Sequence, residues 1–243
     1  MNINIITLFP EIFEALNYGL LGQAIDREDI KINIFNLREY KINKHGQVDD
    51  KPYGGGEGMV LMAEPLENSL KSIPPVNLGR VINLSPQGNL LNQKKAQELS
   101  MLKNLTIICG RYEGIDERFI SQYVDEEISI GDYILSGGEF AALTLIDSFS
   151  RFIPDVIGNQ KSVEEDSFSK GILKGPVYSR PEIFNSKRVP DELLSGNHAF
   201  IKEWKDNQSL IRTYRRRPEL INNIKLTKKQ KKLLEELASK DIL

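Results

Sequence analysis

The stretch Leu105-Thr106-Ile107-Ile108-Cys109-Gly110-Arg111-Tyr112-Glu113-Gly114-Ile115-Asp116 decides the fold. Its first five residues form an apolar run with the length and β-branched content of a buried strand. The run breaks at Gly110 into a short loop bounded by two glycines. Two other stretches have the same shape. Upstream, Val81-Ile82-Asn83-Leu84 runs into Ser85-Pro86-Gln87-Gly88. Downstream, a strand expected over 123–130 runs into Gly131-Asp132-Tyr133-Ile134-Leu135-Ser136-Gly137-Gly138-Glu139. Loops of small residues at strand ends let a backbone approach a ligand closely, and α/β proteins build small-molecule sites there.

Around this centre, strands and helices alternate. Residues 1–8 alternate apolar and polar positions and end at Phe9-Pro10, which predicts a strand and then a helix start with proline at an early position. Ile12, Phe13, Leu16 and Leu20 have helical spacing within 11–26, and Ile30 to Phe35 alternates again as a strand. Five glycines among residues 43–58 predict a long loop, a feature that is usually functional in a compact domain. Helices are expected over 92–103, 116–122 and 138–152, with Ser136 as a cap and Glu139 in the dipole-favoured first turn of the last. This order predicts an α/β fold with a mainly parallel sheet. Residues 155–175 turn polar, with three consecutive acids at 164–166, and 191–240 lacks strand-like runs. The expected division is an α/β domain over 1–160, a flexible linker over 161–172 and a small all-α domain over 173–243, with Trp204, Leu210 and Ile211 in its core.

The bulk properties narrow the function classes. The chain has 243 residues, 40% hydrophobic and 27% charged, which is ordinary for a soluble globular protein. No apolar run approaches the roughly 18–20 residues that span a bilayer. The N-terminus does not read as a signal peptide, and one cysteine cannot form an internal disulfide, so a cytoplasmic location is expected. Cys109 reads as a small core residue. Two histidines and one cysteine make a zinc site improbable. The net charge of −2 hides an asymmetry: residues 173–243 hold 16 Lys and Arg against 9 Asp and Glu, a net of +7. That third suggests an anionic partner, with a solvated helical face as the plainer alternative. Arg212-Thr213-Tyr214-Arg215-Arg216-Arg217 interleaves an aromatic with four arginines, which bind phosphates and stack on bases. His198 and Lys202, one helical turn apart, would share that surface.

The three loops carry neither a G-x-G-x-x-G nor a Walker A fingerprint. Taken with Ile6 to Glu11, Val48 to Gly56, Arg151-Phe152-Ile153-Pro154, Glu164 to Phe168 and Tyr214 to Leu220, in this order, they resemble the bacterial tRNA (guanine-N1)-methyltransferases of the knotted SPOUT class over nearly the whole chain. The resemblance implies a deep trefoil knot, a homodimer with shared active sites, and S-adenosyl-L-methionine as cofactor. It implies that Leu84, Ser85, Pro86, Gly110, Tyr112, Glu113, Ile130, Gly131, Tyr133, Leu135, Gly137 and Gly138 surround the cofactor. It implies tRNA binding by Arg212, Arg215, Arg216 and Arg217, and methylation of N1 of guanine 37, 3′ to the anticodon.

The resemblance also makes Asp166 and Arg151 catalytic, and admits Mg²⁺ held by Glu113 and Asp166. On its own, Arg151 reads as a cation at a helix C-terminus, and Asp166 as a solvated acid. The reaction gives these residue types a reason. Guanine N1 carries a proton at neutral pH, which a carboxylate can take as general base. The charge then moves toward O6, where a guanidinium stabilises it without titrating. Two departures from the family pattern stand out: Lys51 where arginine is familiar, and Asn197 where a second histidine often precedes His198.

Two rival readings stay open on the residues alone. One is a metal-dependent hydrolase using Glu113, Asp116 and Asp166. The other is a non-catalytic RNA-binding protein using the basic C-terminal third.

Overall fold

The structure, a computed structural model, describes residues 1–42, 46–158 and 163–240. It divides into two compact units, Met1–Gly158 and Asn159–Leu243. The expected boundary at 160/161 lies outside the described residues, as do residues 43–45 of the glycine-rich loop.

The first unit is built on one five-stranded sheet. Its strands are β1 (Asn2–Thr7), β2 (Lys31–Asn36), β5 (Arg80–Leu90), β6 (Asn104–Cys109) and β7 (Glu126–Ser129), in the order β2-β1-β6-β5-β7, and every pairing is parallel. The two-residue strands β3 (Asp49–Asp50) and β4 (Val60–Leu61) form a separate antiparallel pair. The helices are α1 (Gly19–Asp26), α2 (Ala63–Ser72), α3 (Pro75–Leu78), α4 (Gln93–Ser100), α5 (Glu117–Tyr123) and α6 (Gly138–Ser150). A parallel sheet covered on both faces buries both sides of each strand, which is why β6 reads as an apolar run; in β1 the polar residues Asn4 and Thr7 are themselves buried. Successive side chains point to opposite faces. Ile3, Ile5, Ile82, Leu84, Leu105, Ile107 and Cys109 join one core with Ala142, Leu145, Ile146 and Phe149 of α6. Ile6, Val81 and Ile108 join the other with Leu66 and Leu70 of α2 and Phe119 of α5.

The expected strands and loops fall close to their observed places, with physical differences. Residues 10–26 are not one helix. A 3-10 helix, Pro10–Asn17, with proline in its first turn, is separated from α1 by the extended Tyr18. Ser136 does not cap α6: its N-cap is Gly137, with extended backbone and no side-chain cap bond. Asn92 and Asp116 do cap α4 and α5, accepting from the backbone N–H of Lys95 and Arg118. In β5, Leu84 and Asn89 both stand opposite Ile128, so residues 85–88 leave the ladder as a protrusion.

The second unit contains α7 (Asp191–Leu194), α8 (His198–Arg216), a 3-10 helix over Pro218–Asn223 and α9 (Lys228–Lys240). It is not all-α. Strands β8 (Ile183–Phe184) and β9 (Lys187–Arg188) form a hairpin whose two-residue turn, Asn185-Ser186, has φ of 47° and 63° at its central positions, the sign that matches strand twist. Leu210 is buried in this unit while Trp204 and Ile211 are half-buried. Among the described residues no helix is long and apolar enough to cross a membrane.

Candidate functional site

Parallel strands put their C-terminal ends on one edge, so the 85–88 protrusion of β5 and the segments after β6 and β7 meet there. They enclose a cavity of about 420 Å³. All twelve residues assigned to the cofactor from sequence line it: Leu84, Ser85 and Pro86; Gly110, Tyr112 and Glu113; Ile130, Gly131, Tyr133, Leu135, Gly137 and Gly138. Asn83, Arg111, Ile115 and Glu127 line it too. Arg151 and Asp166 do not.

Backbone contact between two of the walls sets the shape. The N–H of Gly138 donates to the carbonyl of Gly110 at 2.8 Å, and Arg111 bridges to Gly137. A Cβ on Gly138 would stand 2.8 Å from Cys109 Cα and 3.0 Å from Gly110 N, so no side chain fits between the strands' continuations. A Cβ on Gly137 would meet Arg111 Nε at 2.1 Å. The glycine-rich stretch before β4 braces the same loop from outside. Glu113 N–H donates to the Met59 carbonyl, Leu61 N–H donates to Gly114, and a Cβ on Gly58 would lie 2.7 Å from the Glu113 side chain. Tyr112 is held at φ 61°, a left-handed conformation costly for a non-glycine residue and typical of ligand sites.

Beneath the loops sits a buried polar group. Glu139 lies in the first turn of α6, as expected, and is 0% exposed. Its carboxylate accepts from Thr7 Oγ1 and from Arg111 Nε, both at 2.9 Å. The cue available in sequence was only that Arg111 and Glu139 occupy the two matching loops. Cys109 is buried as expected, and burial with the neighbouring Glu139 charge pushes its thiol well above the ordinary range, so it stays neutral.

The remaining assigned residues lie elsewhere. Arg151 is the C-cap residue of α6, with helical backbone. Asp166 belongs to the second unit, half-buried, and accepts from Lys174 Nζ at 3.3 Å. Arg212, Arg215 and Arg216 stand at i, i+3 and i+4 on α8 and so share a face, with Arg215 and Arg216 exposed. Arg217 follows the helix, paired with Glu219 and 6.0 Å from the Phe168 ring. Among the described residues no three His, Cys, Asp or Glu side chains converge as a metal site.

The cavity suits a small molecule with an apolar planar part. Leu84, Ile130 and Leu135 supply apolar wall, the glycines expose backbone donors and acceptors, and Glu113 and Glu127 supply negative charge. A family profile described as tRNA (Guanine-1)-methyltransferase TrmD matches residues 1–223. The chain belongs to this family of tRNA-modifying methyltransferases. It is 50% identical over 236 residues to a tRNA (guanine-N(1)-)-methyltransferase of Staphylococcus haemolyticus, covering 97% of this chain and 96% of that one. It is 49% identical over 242 residues to the protein of that name from Vibrio campbellii, with 98% of each chain covered, and 47% identical over 240 residues to that of Clostridium botulinum, with 99% and 100% covered.

The glycine contacts generate a paired prediction. Gly138→Ala is expected to destabilise the protein by about 1–3 kcal/mol, the usual cost of overpacking. Gly158→Ala, where the added Cβ meets nothing within 4 Å among the described residues and the backbone is not left-handed, is expected to stay within about 0.5 kcal/mol of wild type. Urea denaturation of both variants checks the contrast, and equal midpoints would contradict the close approach.

Proposed function

We propose that this chain transfers a methyl group from S-adenosyl-L-methionine to N1 of guanine 37, 3′ to the anticodon of tRNA, in the cytoplasm. The observation that carries the reading is the convergence of all twelve assigned residues on one cavity in a chain of this family. S-adenosyl-L-methionine, when bound, supplies an electrophilic methyl group on a sulfonium. Leu84, Ile130 and Leu135 hold its adenine, and the backbone around Gly110, Gly131 and Gly137 hydrogen-bonds its polar edges. Asp166 takes the N1 proton as general base, and Arg151 stabilises the charge that develops at O6. The segments around the cavity form the trefoil-knotted region that the resemblance implies. Incubating tRNA with the protein and labelled donor, then locating the modified nucleotide, tests the whole reading: label on any base other than guanine 37 would refute it.

The two catalytic assignments have separate signatures. Asp166→Ala is expected to lower single-turnover methyl transfer by roughly 10²–10⁴-fold, the usual contribution of a positioned base, with little change in donor affinity. Arg151→Lys keeps the charge but loses the planar fork, so a role at O6 predicts a large rate loss with an unchanged melting temperature. A mere C-terminal helix cation would tolerate the lysine.

tRNA is read by the basic face of α8. Its bonds to phosphates make affinity fall with salt. Replacing Arg212, Arg215 and Arg216 by alanine should flatten the slope of log K against log salt by about 1 or somewhat less for each phosphate no longer neutralised. Arg217, already engaged by Glu219 and Phe168, should contribute less than Arg212 or Arg216. Titrations at several salt concentrations decide, and an unchanged slope in the triple variant would remove α8 from the RNA interface.

The active protein is a homodimer with shared sites, in which Asp166 of one subunit serves the cavity of the other. Asp166→Ala and Gly138→Val subunits, mixed and allowed to exchange, should then recover about one quarter of wild-type activity. Half the dimers are hybrids, and each hybrid has one lesion-free site under two-fold pairing. Background activity after confirmed exchange would place each site within one chain.

A further inference from the structure

The Glu139 carboxylate is fully buried, and its two oxygens face different parts of the chain. Oε1 accepts from Thr7 Oγ1 at the end of β1, and Thr7 Oγ1 itself accepts from Phe9 N–H at 3.0 Å. Oε2 accepts from Arg111 Nε in the segment after β6. Arg111 spends another N–H on the carbonyl of Ser136, 3.0 Å away, in the segment after β7, and its guanidinium lies 4.4 Å from the Phe9 ring centroid. One arginine therefore ties two cavity walls together, and one carboxylate fixes that arginine to the sheet. Gly137 has no side chain where Arg111 passes.

A buried carboxylate is costly unless paired, and an arginine left without it would be an uncompensated cation in the cavity wall. That charge matters for the ligand. The methyl donor is a sulfonium cation, and an unneutralised guanidinium at the wall would repel it in a setting that screens charge less than water does. The product left after methyl transfer is a neutral thioether, on which the same guanidinium would act far more weakly.

We propose that Glu139 is a positioning residue for methyl transfer: it fixes Arg111 across the two cavity walls and cancels its charge, so that the cavity accepts a cationic donor. This rests on the reading of the cavity as the donor's site. Two variants and two ligands test it by calorimetry, with S-adenosylmethionine as the cation and S-adenosylhomocysteine as its neutral counterpart. Glu139→Gln keeps shape and an acceptor but removes the negative charge. It is expected to weaken S-adenosylmethionine binding about tenfold more than S-adenosylhomocysteine binding, the scale a unit charge delivers at several ångströms through a partly screened medium. A purely structural clamp would weaken both equally, and an unchanged ratio of the two affinities overturns the proposal.

The double variant Glu139→Gln with Arg111→Met leaves no buried charge and guards against a folding defect in the single one. It is expected to restore the wild-type ratio while binding both ligands more weakly, because the bond to Ser136 is gone. Wild-type affinity for both ligands in the double variant would equally overturn the proposal. Failure of the wild-type chain to bind S-adenosylmethionine would instead overturn the reading of the cavity, and this proposal with it.

Discussion

Gly110 and Gly138 touch through their backbones, and much else depends on that contact. Where β6 ends, the chain must turn away from the sheet. Where α6 begins, it must pass close enough for the Gly138 N–H to reach the Gly110 carbonyl at 2.8 Å. A Cβ there would overlap the main chain at Cys109 and Gly110, and main chain cannot swing aside as a side-chain tip can. The approach fixes the first turn of α6, and that turn carries Glu139 underneath the loops. It also sets the distance between two cavity walls. The helix then runs across the sheet and seats Leu145, Ile146 and Phe149 in one of the two cores. Core packing and site geometry thus meet at two residues with no side chains.

The site divides labour between rigid and adaptable parts. Its floor is the end of a parallel sheet, with side chains buried on both faces. Its rim is loop: Tyr112 in a left-handed conformation, with Tyr133 and Ile134 well exposed. Binding sites are commonly carried by loops on a rigid scaffold, since the elements that must admit and release a ligand cannot be the most stable ones. Glu113 lines the cavity while its backbone N–H is bonded to the Met59 carbonyl and its side chain packs beside Gly58.

The strands were legible because burial on both faces leaves a mark: Leu105 to Cys109 and Val81 to Leu84 are apolar but for one residue each, Thr106 and Asn83, both buried. The loops after them were legible from glycine and proline. Shorter features left no such mark. A two-residue strand such as Asp49–Asp50 has no period, and the hairpin turn at Asn185-Ser186 lacks the glycine that usually announces it. The break at Tyr18 was hidden because a 3-10 helix and an α-helix share an apolar spacing over so few residues. Least legible was the pairing of Glu139 with Arg111. They lie 28 positions apart, and an acid at a helix start has a sufficient surface explanation, so only the fold shows that the carboxylate points inward. Arg151 and Asp166 show the opposite limit. Their residue types fit the chemistry, but neither position carries a local signal of it.

The pairing of β1 sets a timetable for synthesis. β1 pairs with β2, an early neighbour, and with β6, which begins at Asn104. Translation at about 5–20 residues per second separates completion of β2 from completion of β6 by roughly 4–15 s. For that interval β1 and β2 have no third strand, and a two-stranded unit is marginal in water. Ile3, Ile5 and Ile6, fully buried in the finished sheet, spend those seconds at an open edge. The nascent chain is thus most exposed to wrong partners before its central strand β6 exists, because β6 is the strand that shelters the first.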